Sequence, residues 1–592
     1  MTDVRIRLVA EIGAGVGVEA PAGERVRAAS PRAAALSGGG RRVALCMSVM
    51  ALAYLILLAR LGALAVGADT GAATERLMAA AGAAETAIAQ SSKSTAVAAL
   101  RPDILDRKGR PLATYLPVRR ASVDGRNIWG ARETAEALGR VIPELDVAWL
   151  EERLAARRYI ELHTELSPEM AAAVHDLGLP GVKLIEGERR VYPNGPIAAH
   201  VIGYADGTGA GVAGLEKAVN GADAPFRSSI DIVVQRTIET ELHSAIDEFS
   251  AVAGWAVLMD VATGEVIALA SAPDFDPNMP GAAEPDARRN RAVSDNYELG
   301  SAFKALTAAA VVDAGVADEE TLYDARKPVI VGGWPVDDYH GKDMIMSLTE
   351  VVAYSSNIGS TRAALELGAE RQRAFLKRFG LLDPVVTELP EQRSPRPPRQ
   401  WGPAEIATVS YGHGLAVTPL HLVQAFAPLV NGGCKVAPTF RKRDKAAPCE
   451  QVMNPRSSLA TRRMLKAVTD YGSGKNARAD GYHVIGKTAT ADKPIPGGYD
   501  TENRLSSFVG AFPGHDPAYV LLVSLDEPQG TAETHGFATA GYTAAPVFSR
   551  IVTRVAPMLG LAPADEGVAM AGFMGLGAEN HFAGLAGEDV AR

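Results

Sequence analysis

Ser301 and Lys304 stand three residues apart in Gly300-Ser301-Ala302-Phe303-Lys304, directly before the apolar run Ala305 to Ala314, which Gly315 closes. The run has the composition of a helix, and Gly marks its stop. Ser301 then sits at the helix N-terminus, with Lys304 one turn on and on the same face. A serine hydroxyl is a weak nucleophile until a base takes its proton. A lysine stripped of water and held neutral is such a base. No other Ser-x-x-Lys occurs in the chain. Taken alone, the pair equally fits an N-cap serine beside a solvated lysine.

Two later motifs change that balance. In Ser355-Ser356-Asn357, Ser355 can relay a proton to a leaving group and Asn357 can hold a substrate amide. Lys487-Thr488-Ala489-Thr490 follows the apolar His483-Val484-Ile485 and Gly486, which suits a strand, and holds the only Lys-Thr pair of the sequence. Lys487 and Thr488 can bind a substrate carboxylate. Backbone N–H groups of Ser301 and Thr490 suit an oxyanion hole. The catalytic candidates are therefore Ser301, Lys304, Ser355, Asn357 and Lys487, and the substrate-binding candidates Thr488, Ala489 and Thr490. Ser294-Asp295-Asn296 also looks like a Ser-x-Asn motif. It precedes the nucleophile in a polar stretch and is expected to be a loop or capping segment.

The elements that must position these residues form an α+β domain. Ile232 to Phe249 has helical periodicity. Trp255 to Asp260 and Glu265 to Ala270 are apolar strands joined across Ala262-Thr263-Gly264, a hairpin signal. Ser507 to Phe512 and Tyr519 to Leu525 form a second strand pair, separated by the turn-forming Pro513-Gly514-His515-Asp516-Pro517. A long, mostly helical stretch lies between the pairs. This pattern predicts one antiparallel sheet packed against a helical layer, over residues 226–561. Residues 101–225 are mixed. Asp106 to Arg110 reads as a turn with a strand from Pro111 to Tyr115 after it. Glu133 to Arg140 and Ser167 to Leu177 read as helices, and Val182 to Ile185 as a short strand. No reactive cluster stands out there, as expected of a structural or partner-binding module. Residues 562–592 are Gly- and Ala-rich and read as a loose tail.

The chain has 592 residues, of which 47% are hydrophobic, and a net charge of -9. That acidity argues against nucleic acid as the main partner. No Cys-x-x-Cys or His-Glu-x-x-His pattern points to a metal. Val43 to Val66 is apolar except for Ser48, Arg60 and Gly62, long enough to cross a bilayer. Arg25, Arg27, Arg32, Arg41 and Arg42 precede it, which puts the N-terminus in the cytoplasm and the rest outside. A cleaved signal peptide would need a far longer leading region than is usual, so an uncleaved anchor is expected. Residues 1–42 then form a disordered tail and 67–100 a stalk. Cys434 and Cys449 fall outside the membrane, where they can pair or remain thiols.

With these residues in view, the chain resembles the class B penicillin-binding proteins from about Arg101 to Leu561. Arg101-Pro102-Asp103-Ile104-Leu105-Asp106-Arg107 looks like the family's opening segment. Arg190-Val191-Tyr192-Pro193, Ala199-His200-Val201-Ile202-Gly203 and Gly214-Leu215-Glu216-Lys217 resemble its pedestal motifs. Tyr411-Gly412-His413-Gly414-Leu415 and Leu525-Asp526-Glu527-Pro528 resemble the septal, cell-division branch. The resemblance implies an elongated pedestal (dimerisation-type) domain and a transpeptidase domain like the serine β-lactamases. It implies D,D-transpeptidation through a Ser301 acyl-enzyme, with a stem peptide ending in D-Ala-D-Ala as donor and β-lactams as inhibitors. It implies no metal or organic cofactor. It also implies a location in the cytoplasmic membrane with the catalytic domain periplasmic. The expected partners are a glycosyltransferase of the shape, elongation, division and sporulation type and other divisome membrane proteins. Two residues depart from the pattern. Ala489 replaces a Gly, adding a methyl where strand and substrate must approach closely, and Leu299 replaces a Pro. They raise the alternative of a catalytically weak divisome scaffold. A β-lactamase or penicillin sensor fits poorly with an anchor, a stalk and a pedestal.

Overall fold

The computed structural model describes residues 101–575, except 163, 340, 496 and 497. The apolar segment Val43 to Val66, the tail before it and the stalk after it lie outside the described residues. Among the described residues no helix is long and apolar enough to cross a membrane.

Residues 101–227 build a small α+β unit. Strands β1 (Ile104–Leu105), β2 (Pro111–Asp124), β3 (Tyr159–Glu161), β4 (Val182–Val191) and β5 (Phe226–Arg227) share one sheet, with β2 at its centre against β1, β3 and β4. The turn predicted at Asp106 to Arg110 joins β1 to β2, and Asp106 Oδ1 accepts the Lys108 and Arg110 N–H groups at 2.8 Å each. Helices α1 (Ala131–Val141), α2 (Val147–Ala155) and α3 (Pro168–Asp176) cover the far end of β2. Leu138, Leu150, Leu154 and Val174 bury against Ala121 and Val123 there. Asp146 and Ser167 cap α2 and α3 by accepting the N–H groups of Trp149 and Met170, which satisfies donors a helix start leaves open.

The rest of the chain encloses the antiparallel sheet. In chain order its main elements are α4 (Ile232–Glu248), β6 (Ala253–Asp260), β7 (Val266–Ala272), α5 (Phe303–Asp313), the hairpin β8 (Val329–Val331) and β9 (Trp334–Val336), α6 (Leu348–Tyr354), α7 (Asn357–Leu367), α8 (Pro419–Val430), α9 (Pro455–Asp470), β10 (Ile485–Ile495), β11 (Gly498–Phe512), β12 (Tyr519–Asp526), α10 (Ala544–Met558) and α11 (Glu566–Phe573). The sheet runs β10-β11-β12-β6-β7. The two strand pairs predicted from opposite ends of the domain meet where β12 lies antiparallel to β6, Val523 opposite Ala256.

Helices cover both faces of this sheet, where a single helical layer was expected. On one face Phe303, Leu306, Val423 and Val468 pack with Trp255, Val257 and Val509. On the other, α4 and α10 set Ile238, Leu242, Phe548 and Ile551 against Ala256, Phe508, Phe512 and Val523. Double coverage explains why β6 and β7 are apolar at nearly every position and do not alternate. The expected tail starting at residue 562 also needs correction over its first part. Phe573 of α11 is buried, and Arg462 of α9 donates to Gly572 O at 3.0 Å. Cys434 and Cys449 form a disulfide.

Candidate active site

Ser301 lies in a single turn, Gly300–Ala302, that runs straight into α5. Gly300 has φ +52° and Gly412 φ +87°. The Gly300 N–H donates to Gly412 O at 3.3 Å. A Cβ on Gly412 would fall 2.0 Å from Gly300 O. Only glycine allows this backbone contact, which fixes the turn that carries Ser301. One turn on from Ser301, in the first turn of α5, Lys304 is 2% exposed and its Nζ lies 2.9 Å from Ser301 Oγ.

Ser355 joins α6 to α7 in the left-handed conformation, φ 65°. That bend turns its hydroxyl and carbonyl toward Lys304, whose Nζ lies 3.1 Å from Ser355 Oγ and 2.6 Å from Ser355 O. Lys487, fully buried on β10, brings its Nζ to 2.9 Å from the same Ser355 Oγ. Ser301, Lys304, Ser355 and Lys487 thus form one continuous hydrogen-bonded chain. β10 is the edge strand of the sheet, so its open side leaves backbone groups available to a bound chain.

The remaining candidates support this chain. Thr488 Oγ1 lies 3.2 Å from Lys487 Nζ and 2.6 Å from Ser473 Oγ. Thr490 Oγ1 accepts the Ala540 N–H at 3.0 Å, tying β10 to the loop before α10. The Ala489 methyl is buried in the apolar core that also contains Phe303. Asn357 donates to Asp337 O at 2.8 Å. Ser294-Asp295-Asn296 stays apart from the chain. Asp295 pairs with Arg289 and Asn296 donates to Ser394 O, as befits a loop.

Asp338 gave no sequence signal. Its carboxylate, on the loop after β9, accepts the Ser356 hydroxyl at 2.7 Å and the Ile358 N–H at 3.0 Å, and also takes the Asn357 N–H. It caps α7 from another part of the chain and pins the bend that holds Ser355.

Electrostatics follow from burial. Burial pushes the Lys304 ammonium down to about 7, and Asp338 counteracts part of that. Lys487 is likewise pushed well down, by burial and then by Lys304. Two ammonium groups sharing one buried hydroxyl repel each other in a medium that screens poorly. Lys304 can therefore be neutral at neutral pH and accept a proton from Ser301.

Comparison with known proteins identifies the family of the chain. A family model described as the penicillin binding protein transpeptidase domain matches residues 254–553, and one for the penicillin-binding protein dimerisation domain matches residues 96–220. The probable peptidoglycan D,D-transpeptidase FtsI of Caulobacter vibrioides is 38% identical, over 80% of this chain and 83% of that protein. The peptidoglycan D,D-transpeptidase FtsI of Escherichia coli is 30% identical, over 79% of this chain and 85% of that one. In fold, the chain is similar to penicillin binding protein 3 of Mycobacterium tuberculosis complexed with aztreonam, with a TM-score of 0.63 at 24% identity, covering 79% of this chain and 98% of that one. The chain belongs to the penicillin-binding protein transpeptidase family. Its dimerisation-type and transpeptidase domains together make it a class B member.

Proposed function

We propose that this chain is a serine D,D-transpeptidase that cross-links peptidoglycan stem peptides at the division septum. The observation that carries the mechanism is the unbroken chain from Ser301 Oγ through Lys304 Nζ and Ser355 Oγ to Lys487 Nζ. Lys304 takes the Ser301 proton as Oγ bonds to the carbonyl carbon of the penultimate D-Ala. The tetrahedral oxyanion is held by the Ser301 and Thr490 N–H groups. Ser355 passes a proton to the departing nitrogen as the C–N bond breaks, and the terminal D-Ala leaves. Lys487 and Thr488 bind the donor's carboxylate, and Asn357 and the Ala489 backbone align its amide. A β-lactam enters the same path and stalls as the acyl-enzyme.

The same proposal covers what precedes the pedestal. Residues 1–42 lie in the cytoplasm, 43–66 span the inner membrane and 67–100 form a stalk. Residues 101–225 serve as pedestal and 226–561 as the catalytic domain in the periplasm. A glycosyltransferase of the shape, elongation, division and sporulation type and other divisome proteins are the expected partners. The deciding experiment is intact-mass measurement after benzylpenicillin treatment. One covalent adduct is expected on the wild-type protein and none on Ser301→Ala. Absence of an adduct on the wild type would leave only a scaffold role.

A further inference from the structure

Gly412, which braces the nucleophile turn, is followed by His413. The His413 ring stacks on Tyr499 at 5.0 Å with an interplanar angle of 20° and meets Tyr411 edge-on at 5.4 Å. Tyr499, at the head of β11, donates its hydroxyl to Glu298 Oε2 at 2.9 Å. Glu298 lies just ahead of Ser301 in the chain. The His413 backbone N–H is held by Thr408 O at 2.9 Å. Its ring nitrogens form no hydrogen bond among the described residues. The imidazole is thus oriented by two aromatic rings with its nitrogens open.

The charges around it come from three elements. Glu298 belongs to the segment before the nucleophile, Asp492 to β10 and Lys304 to α5. Burial pushes His413 down and Lys304 adds to that, while Glu298 and Asp492 oppose it. Asp492 is itself paired with Arg504 at 2.9 Å. The net effect keeps the imidazole neutral at neutral pH, so one ring nitrogen retains its lone pair.

The second half of a transpeptidation needs such a group. The acceptor is a primary amine, which like a lysine is protonated below about pH 10. Only its lone pair can attack the ester on Ser301. The Lys304–Ser355 chain must return a proton to Ser301 Oγ, so the first proton of the ammonium needs another destination. Resting on the assignment of Ser301 as the acylated nucleophile, we propose that His413 is a second catalytic base, which deprotonates the incoming acceptor ammonium drawn in by Glu298. The neutral nitrogen then bonds to the ester carbonyl carbon and the C–Oγ bond breaks. The nitrogen's surplus proton passes along Lys304 and Ser355 to Ser301 Oγ, and His413 gives up its proton to solvent.

The test uses purified full-length protein, an N-acyl-D-alanyl thioester as donor, and two acceptors. One is an alkylamine of lysine-like basicity; the other is hydroxylamine, which is neutral at neutral pH. In His413→Gln, aminolysis by the alkylamine should fall about a hundredfold, a usual size for loss of a general base, while aminolysis by hydroxylamine should change by no more than about threefold. Glu298→Gln should raise the alkylamine concentration needed for half-maximal rate more than it lowers the maximal rate. Equal losses with both amines would make the ring a structural support and overturn the assignment, as would an undiminished alkylamine rate. Failure of the wild type to form any acyl-enzyme would instead overturn the transpeptidase mechanism on which the proposal rests.

Discussion

In the proposed mechanism Lys304 must be neutral to act, and burial pushes its ammonium down to about 7. The sign follows directly: raising pH removes the ammonium proton, so penicillin acylation should climb with pH and reach half its plateau near that value. A profile flat between pH 6 and 9, in steps of about one unit, would remove Lys304 from the role of base. Lys304→Ala should abolish acylation in a protein that still folds, because proton transfer is lost; the gap left by its buried stem should lower the thermal midpoint only partly, since a buried ammonium is removed with it. Asp338 acts at one remove. Asp338→Ala leaves the Ser356 hydroxyl and two backbone N–H groups of α7 without their acceptor, a loss of about 1–3 kcal/mol. If about 1.4 kcal/mol of that falls on the transition state, acylation slows roughly tenfold, which stopped-flow rates on the variant would measure. Ala489→Gly removes a buried methyl from the core that also holds Phe303 of α5. It should lower stability by about 1 kcal/mol and speed acylation severalfold; an equal rate would show that the core has absorbed the methyl. Of these residues the Ser, Lys and Thr candidates were visible in the sequence, because catalysis demands fixed residue types at short local spacing. Asp338 was not, because a carboxylate that caps a helix from a separate loop leaves no periodic or motif signal.

The elements were legible where their chemistry is local. Helical periodicity, continuous apolar runs and turn formers marked α4, β6, β7 and β12 close to their observed ends. The long β11 was read only from Ser507, although it begins at Gly498. Its first half carries Asp500, Glu502, Asn503 and Arg504, a turn-like composition: Asp500 accepts the Glu502 and Asn503 N–H groups within the segment, while the residues on either side, Gly498 to Asp500 and Arg504 onward, pair with β10 across a register shift. The second helical layer was missed for a related reason. The continuous apolar runs of β6 and β7 already signal cover on both faces, but they do not say which helices supply it, and only the assembled sheet reveals α10 on the far face. That layer makes a definite prediction. Phe548 of α10 is fully buried and meets Phe508 edge-on at 4.7 Å. Phe548→Ala should therefore cost about 3–5 kcal/mol, read as a lower urea midpoint with little change in slope. A drop under about 1 kcal/mol would mean that the face collapses around the gap.

At the scale of the two domains, long-range ion pairs and hydrogen bonds join the pedestal to the catalytic domain. The Arg107 N–H donates to Ile230 O at 2.8 Å and its side chain reaches Glu265 at 3.1 Å. Arg110 and Lys108 meet Asp231, the N-cap of α4, at 3.0 and 2.8 Å. Glu391 accepts the Gly214 N–H at 2.6 Å. Sequence spacing cannot disclose such contacts, since each joins residues from separate domains. Inside the pedestal, Glu216 has a fully buried carboxylate between Arg101 and Arg190, each at 2.8 Å. Its two cations are nearly buried as well, so removing the carboxylate strands both charges in a medium that solvates them poorly. Glu216→Ala should therefore destabilise the pedestal by about 3–5 kcal/mol. The active site should respond differently. Ser301, Lys304, Ser355 and Lys487 are held by the Gly300–Ala302 turn, α5, the α6–α7 bend and β10, none of which contains or contacts Glu216 through the bonds described above. Below the unfolding transition, the variant should still take up labelled penicillin at about the wild-type rate, with a denaturation curve in which the pedestal melts first. A parallel collapse of penicillin labelling in native conditions would show that the pedestal's ion cluster holds the catalytic domain in its working shape.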